Sequence, residues 1–260
     1  AASSKLLPVF TKFFNLVLLS GKVPEDWVIG VIKPLYKQKG SVSDPNNYRG
    51  ISLLSCFGKM FTSLVNSRLS TLFDMKKVIG SEQAGFRSGY SVNDHIFTLQ
   101  AIIEFFLFNK KKLFAVFVDY EKAFDFVNRS FLWQKVIDTG VNGKLLNVIQ
   151  DMYSKAKSCV AWNSKLSDYF YCSSGVRQGE NLSPLLFSIY LNDLKAFLGE
   201  KVPGLDTLKN EAQKSTLSPL DIDTLFHLFI LLYADDTVIF AETPSNLQLA
   251  IDSMFDYCKK

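Results

Sequence analysis

Two adjacent aspartates, Asp235 and Asp236, lie between two short runs of strand-forming residues in the segment LLYADDTVIF (231–240). This pattern predicts a β-hairpin that carries both carboxylates at its tip. Two like charges side by side repel each other unless a cation neutralises them, and carboxylate oxygens are ligands that Mg²⁺ prefers. Aspartate is also common in turns for local reasons, so a polar turn without metal is the alternative.

A third carboxylate, Asp119, follows the apolar run KKLFAVFVDY (111–120), which predicts a central, buried β-strand. A carboxylate at the end of such a strand is costly unless it meets water or a cation. Three carboxylates are the minimum for a clamp of two metal ions, the arrangement used for phosphoryl or nucleotidyl transfer. The alternative for Asp119 is a strand-end residue that points into water.

The loop SSGVRQGENLSP (173–184) is the second chemical signal. Its glycines, Gly175 and Gly179, allow backbone to approach a nucleotide closely, and a helix beginning at Ser183 and Pro184 favours negative charge at its N-terminus. Glycines also occur in loops for turn geometry alone, so this signal is weak by itself.

The elements around these motifs are predicted from periodicity and capping residues. We expect helices near 6–17, 58–73, 91–108 (capped by Ser91 with Asp94), 130–138, 143–156, 184–197, and from Ser245 (capped with Gln248) onward. We expect strands at 28–36 and 111–120, a hairpin at 158–162 and 169–172, and a surface loop at 199–221. Alternation without a strict βαβ rhythm favours an α+β fold.

Composition excludes several classes of protein. The chain has 260 residues, of which 48% are hydrophobic, and this suits a globular protein with a large core. No apolar run is long enough to span a bilayer and no signal segment opens the chain, so we expect an intracellular protein without a membrane partner. Its four cysteines lack CxxC spacing and predict reduced thiols, whereas its two histidines predict structural roles.

The charge is unevenly distributed. Residues 1–113 contain 15 Lys and Arg against 7 Asp and Glu, whereas residues 114–260 contain 14 against 18. This split suits a protein that holds a polyanion with its first part and metal with its second, although scattered solvated charges could produce it too. The chain starts without Met inside one predicted helix and stops inside another, so we expect it to be part of a longer polypeptide.

The three chemical motifs occur in an order that resembles a known family. FVDYEKAFD, GVRQGENLSP and YADD resemble the A, B and C palm motifs of reverse transcriptases. NYRGISLLSCFGKMF and EQAGFRSGYSVNDHIF resemble the fingers motifs of non-LTR, LINE-type retrotransposons, and the likeness covers residues 24 to 258. It implies a right-hand polymerase with fingers at 1–112 and a palm at 113–260. The palm would be an antiparallel sheet backed by helices, and the thumb would be absent from this fragment.

The resemblance assigns metal binding and catalysis to Asp119, Asp235 and Asp236, with Asp119 and Asp235 as the more direct ligands. The backbone carbonyl of Tyr120 is implied beside them. Phe124 falls where the family keeps an aromatic ring beneath the incoming sugar, which excludes a 2′-hydroxyl by steric contact.

Further residues are implied to contact nucleotide and template. Gln178 matches the glutamine that touches the incoming nucleotide and templating strand, and Gly179 adjoins it. Arg49 matches a triphosphate-binding arginine and Lys37 is a plausible companion, with Lys33 and Lys39 as competitors. Arg87 is expected to touch template backbone.

The implied activity is RNA-directed DNA synthesis by a two-metal mechanism. The expected cofactor is two Mg²⁺ ions, with Mn²⁺ as a possible substitute. The expected partners are an RNA template, a DNA primer or target DNA, and dNTP, in the nucleus and cytoplasm; no oligomeric state is predicted. Alternatives are an RNA-dependent RNA polymerase, a group II intron maturase, and a non-catalytic RNA-binding remnant.

Overall fold

Helices and strands alternate along the chain, which the computed structural model describes at residues 2–208, 210 and 229–259. The α-helices are α1 (Ala2–Ser20), α2 (Cys56–Lys76), α3 (Val92–Phe108), α4 (Arg129–Asp138), α5 (Gly143–Ser154), α6 (Ser183–Tyr190), α7 (Leu194–Gly199) and α8 (Pro244–Cys258). The strands are β1 (Ile29–Tyr36), β2 (Tyr48–Leu53), β3 (Phe114–Val118), β4 (Lys157–Trp162), β5 (Lys165–Leu166), β6 (Phe170–Tyr171), β7 (Ile230–Tyr233) and β8 (Asp236–Ala241). The predicted α+β class is confirmed.

The chain forms two compact units. The first combines Ala1–Val78 with Phe124–Phe187, and the second combines Ile79–Ala123 with Ser188–Lys260. These units are defined by compactness alone, so the predicted division into fingers (1–112) and palm (113–260) stays a prediction.

The sheet of the first unit has the strand order β2-β1-β4-β5, and β6 also pairs with β4. Strand β1 is antiparallel to β2, with Leu35 opposite Arg49, and parallel to β4, with Val31 opposite Cys159. The hairpin predicted at 158–162 and 169–172 is confirmed by the antiparallel β4–β6 pair.

The sheet of the second unit has the strand order β3-β8-β7, with both pairs antiparallel. The prediction of a central, buried strand at 111–120 is wrong, because β8 is central and β3 lies at an edge of the described sheet. The side chains of β3 alternate between partial burial and exposure, and Phe117 is 72% exposed. An apolar run therefore did not mean burial on both faces.

Both faces of β8, the central strand of this second sheet, are buried. Ile239 and Phe240 of β8 are fully buried in a cluster with Phe106 of α3, Leu194 of α7 and Met254 of α8. Burial of this apolar area supplies the main stabilising free energy for the arrangement. This buried cluster holds β7 and β8, the two strands of the hairpin, in place.

Capping residues explain where several helices begin. Ser91 N donates to Asp94 Oδ2 at 2.7 Å and Asp94 N donates to Ser91 Oγ at 3.4 Å, which confirms the predicted capping box of α3. The predicted cap at Ser245 is wrong by two residues. Thr243 Oγ1 caps α8 instead, because Pro244 lacks an N–H and suits the first helical position.

The single helix predicted at 184–197 is two helices, α6 and α7, separated at 191–193. The backbone tightens there, because Asn192 N donates to the Ile189 carbonyl oxygen at 3.2 Å and Leu194 N donates to the Leu191 carbonyl oxygen at 3.0 Å. Asn192 Oδ1 accepts a hydrogen bond from Gly80 N at 3.2 Å. Most of the loop predicted at 199–221 lies outside the described residues, as does His227. None of the described helices is long and apolar enough to cross a membrane.

Candidate active site

The predicted hairpin at 231–240 is formed by β7 and β8. Tyr233 pairs with Asp236, so Ala234 and Asp235 make a two-residue loop. Ala234 has a φ of 59°, and a positive φ at the first loop residue is required by the turn types that favour tight hairpins. The turn places the two adjacent carboxylates at the end of the sheet.

Asp119 reaches the same end of the sheet from β3. Val118 is opposite Thr237, so continuing the register by one pair sets Asp119 opposite Asp236. Both residues line a cavity of about 240 Å³ together with His95 and Tyr233. Partial burial, followed by repulsion from Asp235 and Asp119, raises the pKa of the Asp236 carboxyl. The three charges are therefore close enough to affect one another.

The donor chemistry at this tip fits a divalent cation. Three mutually repelling carboxylates are hard oxygen ligands, and a bound cation would remove the repulsion that raises the pKa of Asp236. In the arrangement that the described residues have, no group of three His, Cys, Asp or Glu side chains is already set as a ligand shell. Metal binding by Asp119, Asp235 and Asp236 stays a prediction.

Tyr120, the residue after Asp119, is anchored in the core of the second unit. Its ring packs against the buried cluster of that unit, and its hydroxyl donates to Met254 Sδ at 3.7 Å. Burial raises the pKa of this phenol, so it stays protonated. The packed side chain holds the Tyr120 backbone, whose carbonyl is a predicted ligand, next to Asp119.

Phe124 belongs to the first unit and is stacked on Phe187. The ring centroids are 4.8 Å apart and the planes differ by 12°. The carbonyl oxygen of Phe124 also accepts a hydrogen bond from Val176 N at 2.7 Å. Its ring is thus supported from behind and its backbone is tied to the 173–184 loop, which suits a rigid steric barrier.

The 173–184 loop requires its glycines. Gly175 has a φ of 78°, and a Cβ there would lie 2.6 Å from the Asp125 carbonyl oxygen. Gly179 has a φ of 82°, and a Cβ there would lie 3.1 Å from the Ser52 carbonyl oxygen. Gln178 is exposed and lines a cavity of about 390 Å³. The sequence signal from the glycines reflects real close approaches of backbone.

The predicted triphosphate contacts lie on the hairpin of β1 and β2. Lys33 is opposite Ile51 and Leu35 is opposite Arg49, so Lys33 and Arg49 share one face. Lys37 follows β1, and its ammonium group donates to the Asn46 carbonyl oxygen at 2.9 Å. Lys37 N donates to the Asn47 carbonyl oxygen at 2.8 Å, so Lys37 continues the pairing, and Lys33 and Lys37 lie equally far along the strands from the Leu35–Arg49 pair. Lys39 lies beyond the paired residues.

Arg87 lies in the second unit and is engaged by its own chain. Its Nη1 donates to the carbonyl oxygens of Gly80 at 2.8 Å and Gln83 at 3.2 Å, and its guanidinium stacks 4.2 Å from the centre of the Tyr90 ring. These contacts give Arg87 a structural role, whereas template binding by it stays a prediction.

Residues 36–260 match the family model described as reverse transcriptase (RNA-dependent DNA polymerase). The chain belongs to the reverse transcriptase family. Three fruit fly (Drosophila melanogaster) relatives support the predicted likeness to non-LTR elements. They are a probable RNA-directed DNA polymerase from transposon BS (29% identical over 201 residues), the RNA-directed DNA polymerase from mobile element jockey (27% over 239) and the Pol polyprotein from retrotransposable element R2DM (22% over 250).

This reverse transcriptase domain matches only part of those relatives. The alignments cover 74%, 90% and 96% of this chain but 22%, 23% and 22% of the respective relatives. Among solved structures, apo telomerase from Candida tropicalis, truncated from its C-terminal domain, aligns with a TM-score of 0.57 at 14% identity. That alignment covers 89% of this chain and 47% of the telomerase. This likeness shows a shared fold.

The reverse transcriptase domain also contains a buried polar network that sequence reasoning missed. Arg177 Nη1 lies 3.6 Å from Glu180 Oε1, and the Tyr153 hydroxyl donates to Glu180 Oε2 at 3.2 Å. Burial raises the pKa of Glu180, although Arg177 and Tyr153 oppose that shift. The Arg177–Glu180 spacing was visible in the sequence, but the contact of Glu180 with Tyr153 joins residues 27 positions apart.

Arg129 is the second missed residue of the first unit. Its guanidinium donates to three backbone carbonyl oxygens, those of Gly175 at 2.9 Å, Ser174 at 2.9 Å and Tyr153 at 2.7 Å. These bonds fix the start of the 173–184 loop to α5. No local pattern around Arg129 distinguishes it from a surface arginine.

Proposed function

We propose that this reverse transcriptase domain catalyses RNA-directed DNA synthesis. In this reaction the 3′-hydroxyl of a DNA primer attacks the α-phosphate of a dNTP paired with an RNA template, and pyrophosphate leaves. The observation that carries the proposal is the meeting of Asp119 with Asp235 and Asp236 at one end of an antiparallel sheet, where Asp236 is affected by both neighbours.

The three aspartates would hold two divalent cations, with Mg²⁺ as the expected species and Mn²⁺ as a substitute. When bound, such ions neutralise developing charge on the transferred phosphoryl group. Asp119 and Asp235 are the direct ligands in this proposal, and the Tyr120 carbonyl adds a neutral oxygen. Packing of Tyr120 against Met254 would keep that carbonyl in place.

Selection of deoxynucleotides is proposed for Phe124. A ring held flat against Phe187 cannot move away easily, so a ribose 2′-hydroxyl above it would meet steric repulsion. Gln178 and Gly179 would contact the nucleotide, since both are exposed in the 173–184 loop.

The remaining contacts are proposed for basic residues. Arg49 and Lys37 would hold the triphosphate, and Arg87 would touch template backbone. The partners would be template RNA, a DNA primer and target DNA, so the protein would work in the nucleus and the cytoplasm. Base pairing supplies the sequence information, so most protein contacts would be to backbone and sugar.

Primer extension tests the proposal. The protein is given an RNA template, a DNA primer, dNTPs and Mg²⁺, and Asp119→Asn and Asp235→Asn are compared with Asp252→Asn, a control on the exposed surface of α8. Loss of a metal ligand removes several kcal/mol of transition-state stabilisation, so both site variants should lose about 10³-fold in rate. The control should retain the rate.

Two outcomes would favour the alternatives. If the wild-type protein extends no primer while it and Asp235→Asn bind RNA equally well, the protein is an RNA-binding remnant. If the wild type incorporates NTP in preference to dNTP, it is an RNA polymerase. A preference for dNTP supports the proposal.

A further inference from the structure

A buried glutamine, Gln83, lies beside the strand that enters the catalytic turn. Gln83 is 2% exposed, and its segment runs parallel to β7 through an isolated bridge with Leu232. Leu232 N donates to the Glu82 carbonyl oxygen at 2.8 Å, and Ala84 N donates to the Leu232 carbonyl oxygen at 3.0 Å. This segment therefore holds β7 on the side opposite β8.

The side chain of Gln83 binds the first residue of the catalytic turn twice. Its Oε1 accepts a hydrogen bond from Ala234 N at 3.0 Å, and its Nε2 donates to the Ala234 carbonyl oxygen at 3.2 Å. Oε1 also accepts from Gly85 N at 2.8 Å. One amide thus satisfies both backbone polar groups of Ala234, which is only 6% exposed.

Ala234 needs this support because of its conformation. Its φ of 59° is in the left-handed region, where a Cβ makes the backbone less stable than it would be at glycine. The neighbouring backbone is equally constrained, since a Cβ at Gly85 would lie 2.1 Å from Ala234 N and 2.7 Å from its Cα. Only glycine at 85 leaves room for the turn.

His95 fastens the same backbone from another side. Its Nε2 lies 3.0 Å from the Glu82 carbonyl oxygen and 2.9 Å from the Leu232 carbonyl oxygen. The segment before the turn and the segment that carries Gln83 are therefore joined at several points. This arrangement leaves the turn little freedom to relax.

We propose that Gln83 is a positioning residue that directs Asp235 and Asp236 toward Asp119 by holding the Ala234 peptide in its left-handed conformation. The proposal rests on the proposed function, because it gives the turn a role in polymerisation. Without the amide, two buried backbone groups of Ala234 lose their partners, and the turn moves to find others. A displacement of about 1 Å at a reacting centre costs about 10²-fold in rate.

The test compares three substitutions in the full chain. Gln83→Met keeps the volume of the side chain and removes both hydrogen bonds, and Gln83→Glu keeps the acceptor but loses the donor. Gln100→Ala is the matched control, since Gln100 is an exposed glutamine of α3 bonded only locally to Glu104. Hydrogen exchange of the 231–240 backbone and primer extension are measured on each protein.

Gln83→Met should make the Ala234 amide exchange faster and lower kcat about 10²-fold, with the KM for dNTP unchanged. In Gln83→Glu, the Ala234 amide should exchange its hydrogen at a rate between those of Gln83→Met and the wild type. Adding Ala234→Gly to Gln83→Met should restore much of kcat, because glycine adopts the left-handed conformation without strain. A residue that only stabilises the fold would not be rescued in this way.

Each result is decisive. Wild-type exchange at the turn in Gln83→Met would overturn the proposal, as would an equal loss of kcat in Gln100→Ala. If the wild-type protein shows no polymerase activity, the proposed function fails, whereas faster exchange in Gln83→Met would still show that Gln83 holds the turn. Faster exchange with normal kcat would refute its role in positioning the aspartates.

Discussion

At the residue scale, the protein keeps ionisable groups in surroundings that oppose their charge. Asp236 carries a raised pKa at the hairpin tip, and Glu180 carries one in its buried network with Arg177 and Tyr153. Desolvation is the largest cause at both sites, but repulsion from Asp235 and Asp119 adds to it at the first, whereas Arg177 and Tyr153 oppose it at the second. Only the first arrangement resembles a place for a cation.

Glu180→Gln should make stability less dependent on pH. A carboxyl whose folded pKa lies above its unfolded value, about 4.3, binds more protons in the native state. Its contribution to stability is therefore fully present below the unfolded pKa and is lost as pH rises through the folded pKa. Glutamine is neutral throughout, so thermal unfolding from pH 4 to pH 8 should show a smaller decline for the variant.

The control for this prediction is Glu200→Gln, an exposed carboxylate after α7. Its stability curve should follow the wild type. A decline in Glu180→Gln as large as that of the wild type would show that the pKa of Glu180 is not raised in the native state.

At the element scale, local patterns located most helices and strands but not their partners. The Ser91–Asp94 box and the hairpin at 231–240 were predictable because their determinants are neighbours in sequence. The edge position of β3 was not, since apolar residues alone do not show that Phe117 faces outward. The contact of Gln83 with Ala234 joins residues 151 positions apart, so no local periodicity could indicate it.

Gly175→Ala should destabilise the first unit more than Gly143→Ala does. Both glycines have a positive φ, but only Gly175 has neighbouring atoms where a Cβ would lie. Gly143 is the comparison, because its φ is 60° and a Cβ there would meet nothing within 4 Å. Gly143→Ala should therefore cost about 1 kcal/mol. Gly175→Ala also places a Cβ 2.6 Å from the Asp125 carbonyl oxygen and should cost more than about 2 kcal/mol.

Chemical denaturation of both variants measures this difference. Equal losses of stability would mean that the loop shifts without cost, and the 173–184 loop would then not be held against Asp125. Because the same loop carries Gln178, primer extension by Gly175→Ala should also fall.

At the scale of the whole molecule, charge is segregated along the chain. The excess of Lys and Arg lies within residues 1–113, and the excess of Asp and Glu lies within residues 114–260. Lys110, Lys111 and Lys112 form the densest basic run and immediately precede β3. Such a distribution attracts polyanions through counterion release, which depends on salt.

Replacing Lys110, Lys111 and Lys112 by glutamine should weaken RNA binding and reduce its salt dependence. The logarithm of the RNA-binding constant falls linearly with the logarithm of the salt concentration, and each lost phosphate contact on a single strand makes this slope less steep by about 0.7. Fluorescence anisotropy with labelled RNA over a salt series measures the slope. Lys165→Gln, on the short strand β5, should leave it unchanged, and an unchanged slope in the triple variant would place the RNA elsewhere.

The dependence of the Ala234 turn on Gln83 also sets an order of events in folding. The β7–β8 hairpin can close within about 10 µs of its synthesis, whereas its partner segment is made 151 residues earlier. A ribosome adding about 5–20 residues per second leaves that segment waiting for roughly 8–30 s. The turn acquires its final shape only when the two segments meet, so it forms late, after β8 has been synthesised.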